Sequence, residues 1–313
     1  MKTMKNVFGA RRPALVCTLH RGLALVMLAG LILLASCEDK VEFNAKDSSS
    51  VENEASVDGY FEDTDDMAVS AVSADDGTLT GSRVDGGRVV SKAKLDHRFA
   101  CESTTVTIVF AEDNTAQVPH GTITVDFGAQ GCTDIKGNTR KGKIIVEFKG
   151  RRFYPNSTIV TTTEGYSING VALQGTRTVT NISGSTNEAP KFNVVLEDGK
   201  ATWPDNTTAT REVNRTHEWT RGANPLNDQW SVTGTASGTN RNGDVYEMNI
   251  TSALVYKREC AIGNRVFMAV SGTKELTVNG RKLTIDYGTG DCDRTVTITV
   301  DGQSKQVEVK GDI

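Results

Sequence analysis

Histidine is scarce in this chain of 313 residues, and its copies are widely spaced. Three of the four histidines lie beyond residue 36: His97, His120 and His217. None has H-x-H or H-E-x-x-H spacing, and no two cysteines have C-x-x-C spacing. Zinc sites are typically built from such closely spaced ligands. The sequence therefore predicts no metal site, and we expect no cofactor.

The chain also lacks the patterns of common catalytic sites. No G-x-S-x-G nucleophile elbow occurs, and residues 165–169 come closest but lack the second glycine. His217 precedes Glu218, but neighbours on a strand point to opposite faces, so we do not expect them to act together. Asp126 and Asp286 end two predicted strands, which explains both positions without catalysis. Paired carboxylates leave no local signature, so a glycosidase stays open as the alternative.

Beyond the N-terminal segment the chain has no excess of basic residues that would suit nucleic acid. The net charge is −4, and the five basic residues of 1–36, without any acidic residue, leave −9 for the rest. Residues 37–80 hold thirteen acidic residues and two lysines, so residues 81–313 carry +2. Nucleic-acid-binding domains present a basic face to the phosphates. We therefore exclude nucleic acid as a partner.

The first 36 residues have the order of a secretory signal: basic residues, then an apolar run, then small residues. The apolar run, 22–34, is shorter than the roughly 20 residues that a spanning helix needs. Leu34-Ala35-Ser36-Cys37 resembles the bacterial lipobox, which is cut before its cysteine. We expect residues 1–36 to be a lipoprotein signal peptide and Cys37 to carry the lipid that attaches the chain to a membrane. Two or three acyl chains suffice for stable anchoring.

Residues 37–93 are predicted to be a lipidated acidic spacer, partly helical or disordered. Residues 38–60 have few apolar side chains, which favours a flexible segment. Residues 53–72 fit a short helix with Tyr60, Phe61, Met67 and Val69 near one face. The acidic cluster 62–66 lacks the central glycine and the spacing of a calcium loop. We interpret it as a solvated acidic face.

Residues 94–313 are predicted to form an all-β domain, an antiparallel meander of hairpins. Its apolar residues largely alternate with threonine or charge in segments such as 105–110, 121–127, 143–148, 176–180 and 295–300. Asn-Gly and Asp-Gly pairs, which tolerate the positive φ angles of tight turns, occur at 169, 198, 242, 279 and 301. The pattern leaves open whether the strands form one extended sheet or a two-layer sandwich.

The domain contains an internal repeat, with units around 101–150 and 260–310. Residues 123–132 align without gaps to residues 283–292, and each unit has an earlier cysteine at nearly the same distance. Four cysteines remain after Cys17 and Cys37 are set aside, and an exported protein typically pairs them. Two equivalent units should each contain an equivalent internal disulfide. The repeat therefore predicts the disulfides Cys101–Cys132 and Cys260–Cys292.

Certain sequence features occur together in this chain: the lipobox cysteine, the acidic spacer with Tyr-Phe-Glu-Asp, and the segments 123–132, 137–146, 175–181 and 283–293. In this combination they resemble an uncharacterised family of lipoproteins of Bacteroidota. The resemblance implies an outer-membrane lipid-anchored protein and no known activity. In that phylum, acidic residues after the lipidated cysteine resemble a signal for surface export, and Glu38-Asp39 fits it loosely. We therefore expect the cell surface rather than the periplasmic face.

The aromatic residues of the middle region are the candidate ligand-binding residues: Trp203, Trp219, Trp230, Tyr166 and Tyr246. If exposed, they would suit sugar stacking or a protein partner, and if buried they would fill the sheet core. We expect a non-enzymatic structural or binding module of the cell envelope, with a glycan or an envelope protein as ligand. A carbohydrate-active hydrolase is the alternative.

Overall fold

The computed structural model describes residues 45–73, 95, 99, 101 and 103–309. The predictions for the signal peptide and for Cys37 lie outside these residues. One long helix, α1 (Ala45–Ser73), precedes a large sheet, and a short helix, α2 (Arg258–Gly263), lies within a connection between strands. The described residues also include a 3-10 turn at Pro225–Asn227.

Fourteen strands form one antiparallel sheet, so the predicted all-β meander is confirmed. Thirteen of them follow each other across the sheet in chain order, and the two-residue β3 pairs with the start of β4. The hydrogen bonding is continuous, which favours one sheet over a two-layer sandwich. The strands are β1 Thr105–Phe110, β2 His120–Asp126, β3 Cys132–Thr133, β4 Thr139–Lys149, β5 Thr158–Ile168, β6 Val171–Asn181, β7 Lys191–Thr202, β8 Thr208–Thr220, β9 Gln229–Thr239, β10 Val245–Lys257, β11 Ser271–Val278, β12 Arg281–Thr289, β13 Thr295–Val300 and β14 Gln303–Glu308.

Four of the five predicted Asn-Gly and Asp-Gly turns join neighbouring strands. Asn169, Asn279 and Asp301 have φ angles of 51°, 49° and 48°, the left-handed conformation that two-residue hairpins require. The prediction at Asp198-Gly199 is wrong, because both residues lie inside β7 at a break in its register with β8. A Cβ on Gly199 would lie 2.4 Å from the Arg211 carbonyl oxygen, so glycine is needed there for close strand approach.

The helix α1 is longer than the sequence predicts and begins inside the stretch expected to be flexible. Its apolar residues Val57, Phe61 and Met67 are buried in the same core as the inner face of the sheet. Its exposed residues are few: Lys46, Glu52, Ser56 and Asp66. Burial of this kind, rather than intrinsic propensity, stabilises most helices in proteins.

The sheet curls around α1. A helix about 10 Å in diameter covers only about two strands of a flat sheet, since neighbouring strands lie about 4.8 Å apart. Inner-face residues are nevertheless buried from the first strand to the thirteenth, and Ile108 of β1 and Ile298 of β13 are both 0% exposed. The helix is therefore an internal element that one sheet face surrounds.

The predicted disulfide pairing agrees with the structure. The Cα atoms of Cys101 and Cys132 lie 6.0 Å apart, and those of Cys260 and Cys292 lie 5.0 Å apart. The first bridge joins the chain before β1 to β3, and the second joins α2 to the connection between β12 and β13. The two repeat units are thus closed in the same way.

Candidate functional site

Acidic residues of α1 form ion pairs with basic residues on the inner face of the sheet, a set that we call the charge ladder. At its centre, Glu54 binds Lys274 of β11 at 2.5 Å and Arg211 of β8 at 3.0 Å. Asp58, one helical turn later, binds Arg211 at 2.6 Å and Arg215 at 2.9 Å. Residues four apart lie on the same helix face, so both carboxylates point at the same strands.

The ladder continues along the same helix face. Glu62 binds Arg177 of β6 at 3.1 Å and Arg215 at 3.4 Å. Asp65 lies 3.1 Å from Nε of Arg177. The Arg177 side chain is 3% exposed, so this guanidinium has exchanged water for two carboxylates.

Two further pairs complete the charge ladder. Asp47 at the start of α1 binds Arg281 of β12 at 2.7 Å. Arg140 of β4 donates two hydrogen bonds to Asp63, at 2.8 and 3.0 Å, and a third to Asp134. Basic residues from β4, β6, β8, β11 and β12 thus all meet acidic residues of one helix.

The interior bases keep the central carboxylates ionised. Burial disfavours the charged form of Glu54, but Lys274 and Arg211 outweigh it, and the pKa of Glu54 is lowered from 4.5. Burial likewise opposes ionisation of Asp58, but Arg211 and Arg215 hold its pKa below its usual 3.8. Burial also disfavours the ammonium of Lys274, yet Glu54 raises its pKa. These groups form fixed ion pairs and not a proton donor with a proton acceptor.

The interpretation of residues 62–66 as a solvated acidic face is wrong. Asp63 and Asp65 are 8% and 9% exposed, and within 62–66 only Asp66 is exposed. Burying them is possible because Arg140 and Arg177 supply opposite charge and hydrogen bonds. The sequence signal that could have indicated this is the position of the arginines. They occur at strand positions where the alternating pattern predicts an inward-facing, apolar residue.

Each of the two aspartates of the repeat accepts a hydrogen bond from the backbone N–H two residues later in the chain. Asp126 ends β2 and accepts a hydrogen bond from the backbone N–H of Gly128 at 2.7 Å. Asp286 of β12 accepts one from Gly288 at 2.8 Å. The equivalence predicted by the repeat therefore holds for this local hydrogen bond, but the prediction that Asp286 ends a strand is wrong, because β12 continues to Thr289.

His217 and Glu218 face opposite sides of the sheet, as their positions on a strand predict. Glu218 binds Lys191 at 2.9 Å on the outer face. His217 faces inward, and its Nε2 is buried with no hydrogen-bond partner among the residues that the structure describes. Burial lowers the pKa of His217. A joint acid–base role is not supported by this arrangement.

Two of the five predicted ligand-binding aromatics are core residues instead. Tyr166 is 1% exposed and its ring packs 6.0 Å from that of Phe127. Tyr246 is 3% exposed, and its hydroxyl accepts a hydrogen bond from Arg211 at 3.1 Å. Both side chains point to the sheet interior, where the strand period places them, so a ligand cannot reach them.

Trp203 is half-buried at the turn between β7 and β8. Its ring lies 6.4 Å from the ring of Tyr60 on α1. The guanidinium of Arg241 lies over the Trp203 ring, 4.8 Å from its centroid, and also binds Asp205 at 2.5 Å. Trp203 is therefore engaged by its own chain.

Trp219 and Trp230 belong to a closed cycle of four aromatic rings. Their rings stack at 5.3 Å, Trp219 lies 5.4 Å from Phe153, and Phe192 lies 6.2 Å from Phe153 and 6.3 Å from Trp230. Trp219, Trp230 and Phe153 are half-buried. The cycle lies at the strand ends that carry the β4–β5 and β8–β9 connections, and Phe153 and Phe192 were not predicted as part of it.

Arginines stack on these rings at the surface. Arg221 lies 4.7 Å from the Trp219 centroid and 5.6 Å from that of Phe153. Arg152 lies 5.1 Å from Phe153, and Arg151 lies 5.9 Å from the 51% exposed Tyr154. We call Arg151, Arg152, Phe153, Tyr154, Trp219 and Arg221 the aromatic–arginine surface.

Two hollows in the described part of the chain offer little for catalysis. A cavity of about 10 Å³ beside Phe61, Thr64 and Arg177 has room for about one water molecule. An open hollow beside the first disulfide is lined by Cys101, Ser103, Cys132 and Thr133, which bring no carboxylate. Glu259 lies close to two cysteine sulfurs, but these are joined in the second disulfide and are not free ligands.

No family model, curated protein or solved structure matches this chain. The relationship to the Bacteroidota lipoproteins therefore stays a prediction. Among the described helices, none has both the length and the apolar character needed to cross a membrane.

Proposed function

We propose that the protein is a lipid-anchored, non-enzymatic binding module of the cell envelope. Cys37 would carry the lipid, α1 would connect the anchor to the sheet, and the aromatic–arginine surface would meet the ligand. A carbohydrate-active hydrolase is the rival function. The interior carboxylates are held in ion pairs with basic residues, which supports a binding module over a hydrolase.

Glycoside hydrolysis needs two carboxylates roughly 5–10 Å apart on either side of an accessible sugar. The carboxylates at the centre of the charge ladder, Glu54 and Asp58, are enclosed by the sheet and paired with Lys274, Arg211 and Arg215. A buried ion pair of this kind fixes an arrangement and leaves no group free to transfer a proton. This is the observation that carries the proposal.

The position of α1 supports a tether at one end of the strands. Asp47, near the start of α1, binds Arg281 next to the turn between β11 and β12. Cys37 precedes Ala45 by eight residues, which span at most about 28 Å. The aromatic–arginine surface lies at the opposite strand ends, in the β4–β5 and β8–β9 connections. An anchored protein would thus present this surface away from its point of attachment.

Binding without turnover tests the proposal. The chain from Glu38 onward, which keeps α1 and lacks the lipidated cysteine, should bind an immobilised polysaccharide or an envelope protein and release no reducing ends. Retaining α1 is necessary because the sheet interior is built around it. Cleavage of a polysaccharide that disappears when one carboxylate is replaced by its amide would establish the hydrolase instead.

A further inference from the structure

The basic residues stacked on aromatic rings at the surface differ in one respect. Arg241 stacks on Trp203 at 4.8 Å and also binds Asp205 at 2.5 Å, so its charge is balanced within the chain. Arg221 stacks on Trp219 at 4.7 Å, and Arg151 stacks on Tyr154 at 5.9 Å. Neither Arg221 nor Arg151 has an ion-pair partner among the residues that the structure describes.

Stacking prepares these two guanidinium groups for a ligand. An aromatic ring holds one face of the guanidinium plane, and the N–H groups at its edge stay available as donors. Arg221 is exposed, so its donors face solvent. Arg151 donates one N–H to the Ala116 carbonyl oxygen at 3.3 Å, and its other N–H groups are available to a ligand.

The two arginines belong to one surface and not to two. Phe153 contacts Trp219 at 5.4 Å and lies next to Tyr154 in the chain, so the β4–β5 and β8–β9 connections pack together. Arg221 lies 5.6 Å from the Phe153 ring, which joins both connections. The surface therefore combines unbalanced positive charge with aromatic rings that are partly exposed.

We infer that the aromatic–arginine surface binds an acidic polysaccharide, with Arg221 and Arg151 on its carboxylate or sulfate groups and the exposed Tyr154 against a sugar ring, while Trp219 holds Arg221 in position. The planar guanidinium fork matches the two oxygens of a carboxylate or a sulfate. Tyrosine combines an apolar face with a polar edge, as a sugar ring requires. The inference rests on the proposed binding function and names its ligand class.

Affinity measurements on the chain from Glu38 onward test this site. Calorimetric titration uses polygalacturonate and chondroitin sulfate as acidic probes and pullulan as a neutral probe. The protein should bind an acidic probe and not pullulan, and Arg221→Gln should weaken this binding about tenfold or more, as loss of a hydrogen bond to a charged group predicts. Arg221→Lys keeps the positive charge but not the planar guanidinium fork. Its affinity should therefore lie between those of the parent protein and Arg221→Gln.

Arg241→Gln is the matched control, since it also removes an arginine from a tryptophan face. Its affinity should stay within about twofold of the parent protein because Arg241 is balanced by Asp205 and lies at the other strand ends. Equal binding of pullulan, an Arg221→Gln affinity within twofold of the parent, or absence of binding to both acidic probes would overturn the inference.

Two outcomes separate this inference from the proposed function. Binding that is strong but insensitive to Arg221 and Arg151 refutes the ligand site and leaves a non-enzymatic module. Release of reducing ends from the bound probe refutes the proposed function. Anionic lipid vesicles serve as a further arm, and binding to vesicles in place of both polysaccharides would also overturn the inference.

Discussion

Arginine has two kinds of surroundings in this molecule. In the charge ladder, Arg177 and Arg211 are 3% and 0% exposed and each contacts two carboxylates of α1. On the aromatic–arginine surface, Arg221 is exposed and contacts two aromatic rings. The interior arginines are committed to the fold, whereas the surface arginines keep donors for a ligand.

The difference shows how a helix with few apolar residues becomes an internal element. Taking a charge out of water costs several kcal/mol, and only a close partner with further hydrogen bonds offsets this. In the charge ladder each carboxylate meets one or two bases, so the helix is specified by charge position as well as by apolar contact. The comparison predicts that substitutions in the charge ladder lower the free energy of unfolding strongly and that substitutions on the aromatic–arginine surface lower it little.

Deletion of residues 45–73 should have the largest effect. Without α1 the sheet would face water with six basic residues and the apolar inner face of thirteen strands. We expect the remaining sheet to lose cooperative unfolding. We also expect it to bind a hydrophobic dye, because its apolar face is then exposed. Circular dichroism during urea titration measures this, and a deleted chain that still unfolds cooperatively at the parent's urea concentration would refute an internal role for α1.

Arg211→Met should lower the free energy of unfolding by about 3–5 kcal/mol, because Glu54 and Asp58 would keep buried charges with fewer partners. Chemical denaturation at pH 7 measures the loss. A second variant, Asp58→Asn combined with Arg211→Met, should recover part of it because the excess negative charge is removed while Lys274 keeps Glu54 and Arg215 keeps Glu62. A loss below about 1 kcal/mol for Arg211→Met would mean that the ladder is dispensable.

The strands could be predicted from local sequence and the disulfides from the internal repeat, but the charge ladder could be predicted from neither. Period-two alternation is a local signal, and so is the Asn-Gly turn that joins β11 to β12. Glu54 and Lys274, by contrast, are 220 residues apart in the chain, and Glu54 and Arg211 are 157 apart. Nothing near Glu54 in sequence shows that a strand brings a base to it.

The candidate site was predictable only in part, for the same reason. Trp219 and Trp230 stood out as aromatic residues, whereas Phe153 and Arg221 gain their meaning from packing between two connections. Tyr166 and Tyr246 were misplaced because residue type alone does not distinguish an exposed face from a buried one. Their phase relative to Ile168 and Met248, two residues away on the same strands, would have indicated burial.

Acid should weaken the interior before the surface. The pKa values of Glu54 and Asp58 are lowered in the folded state from 4.5 and 3.8, so below about pH 4.5 the unfolded chain takes up protons that the folded one refuses. Stability from these groups is therefore present above that pH and is lost as pH falls through the folded values. Burial raises the pKa of Asp63, which opposes this trend at one position.

Asp58→Asn isolates this contribution. Its free energy of unfolding should fall less steeply than the parent's between pH 5 and pH 3, since one fewer proton is taken up on unfolding. Ser56→Ala, at an exposed position of the same helix, provides the control and should leave the slope unchanged because serine carries no titrating group. Equal slopes for Asp58→Asn and the parent would show that Asp58 does not titrate differently in the two states.

Arg221→Gln should have the smallest effect on stability, at most about 1 kcal/mol, the size of an exposed cation–π contact. This small cost is what separates a ligand-binding arginine from a structural one, because the same substitution should weaken binding of an acidic polysaccharide about tenfold. Denaturant unfolding of Arg221→Gln beside Arg241→Gln measures it. A loss for Arg221→Gln as large as that for Arg211→Met would place Arg221 among the structural arginines, and the distinction between the two regions would fail.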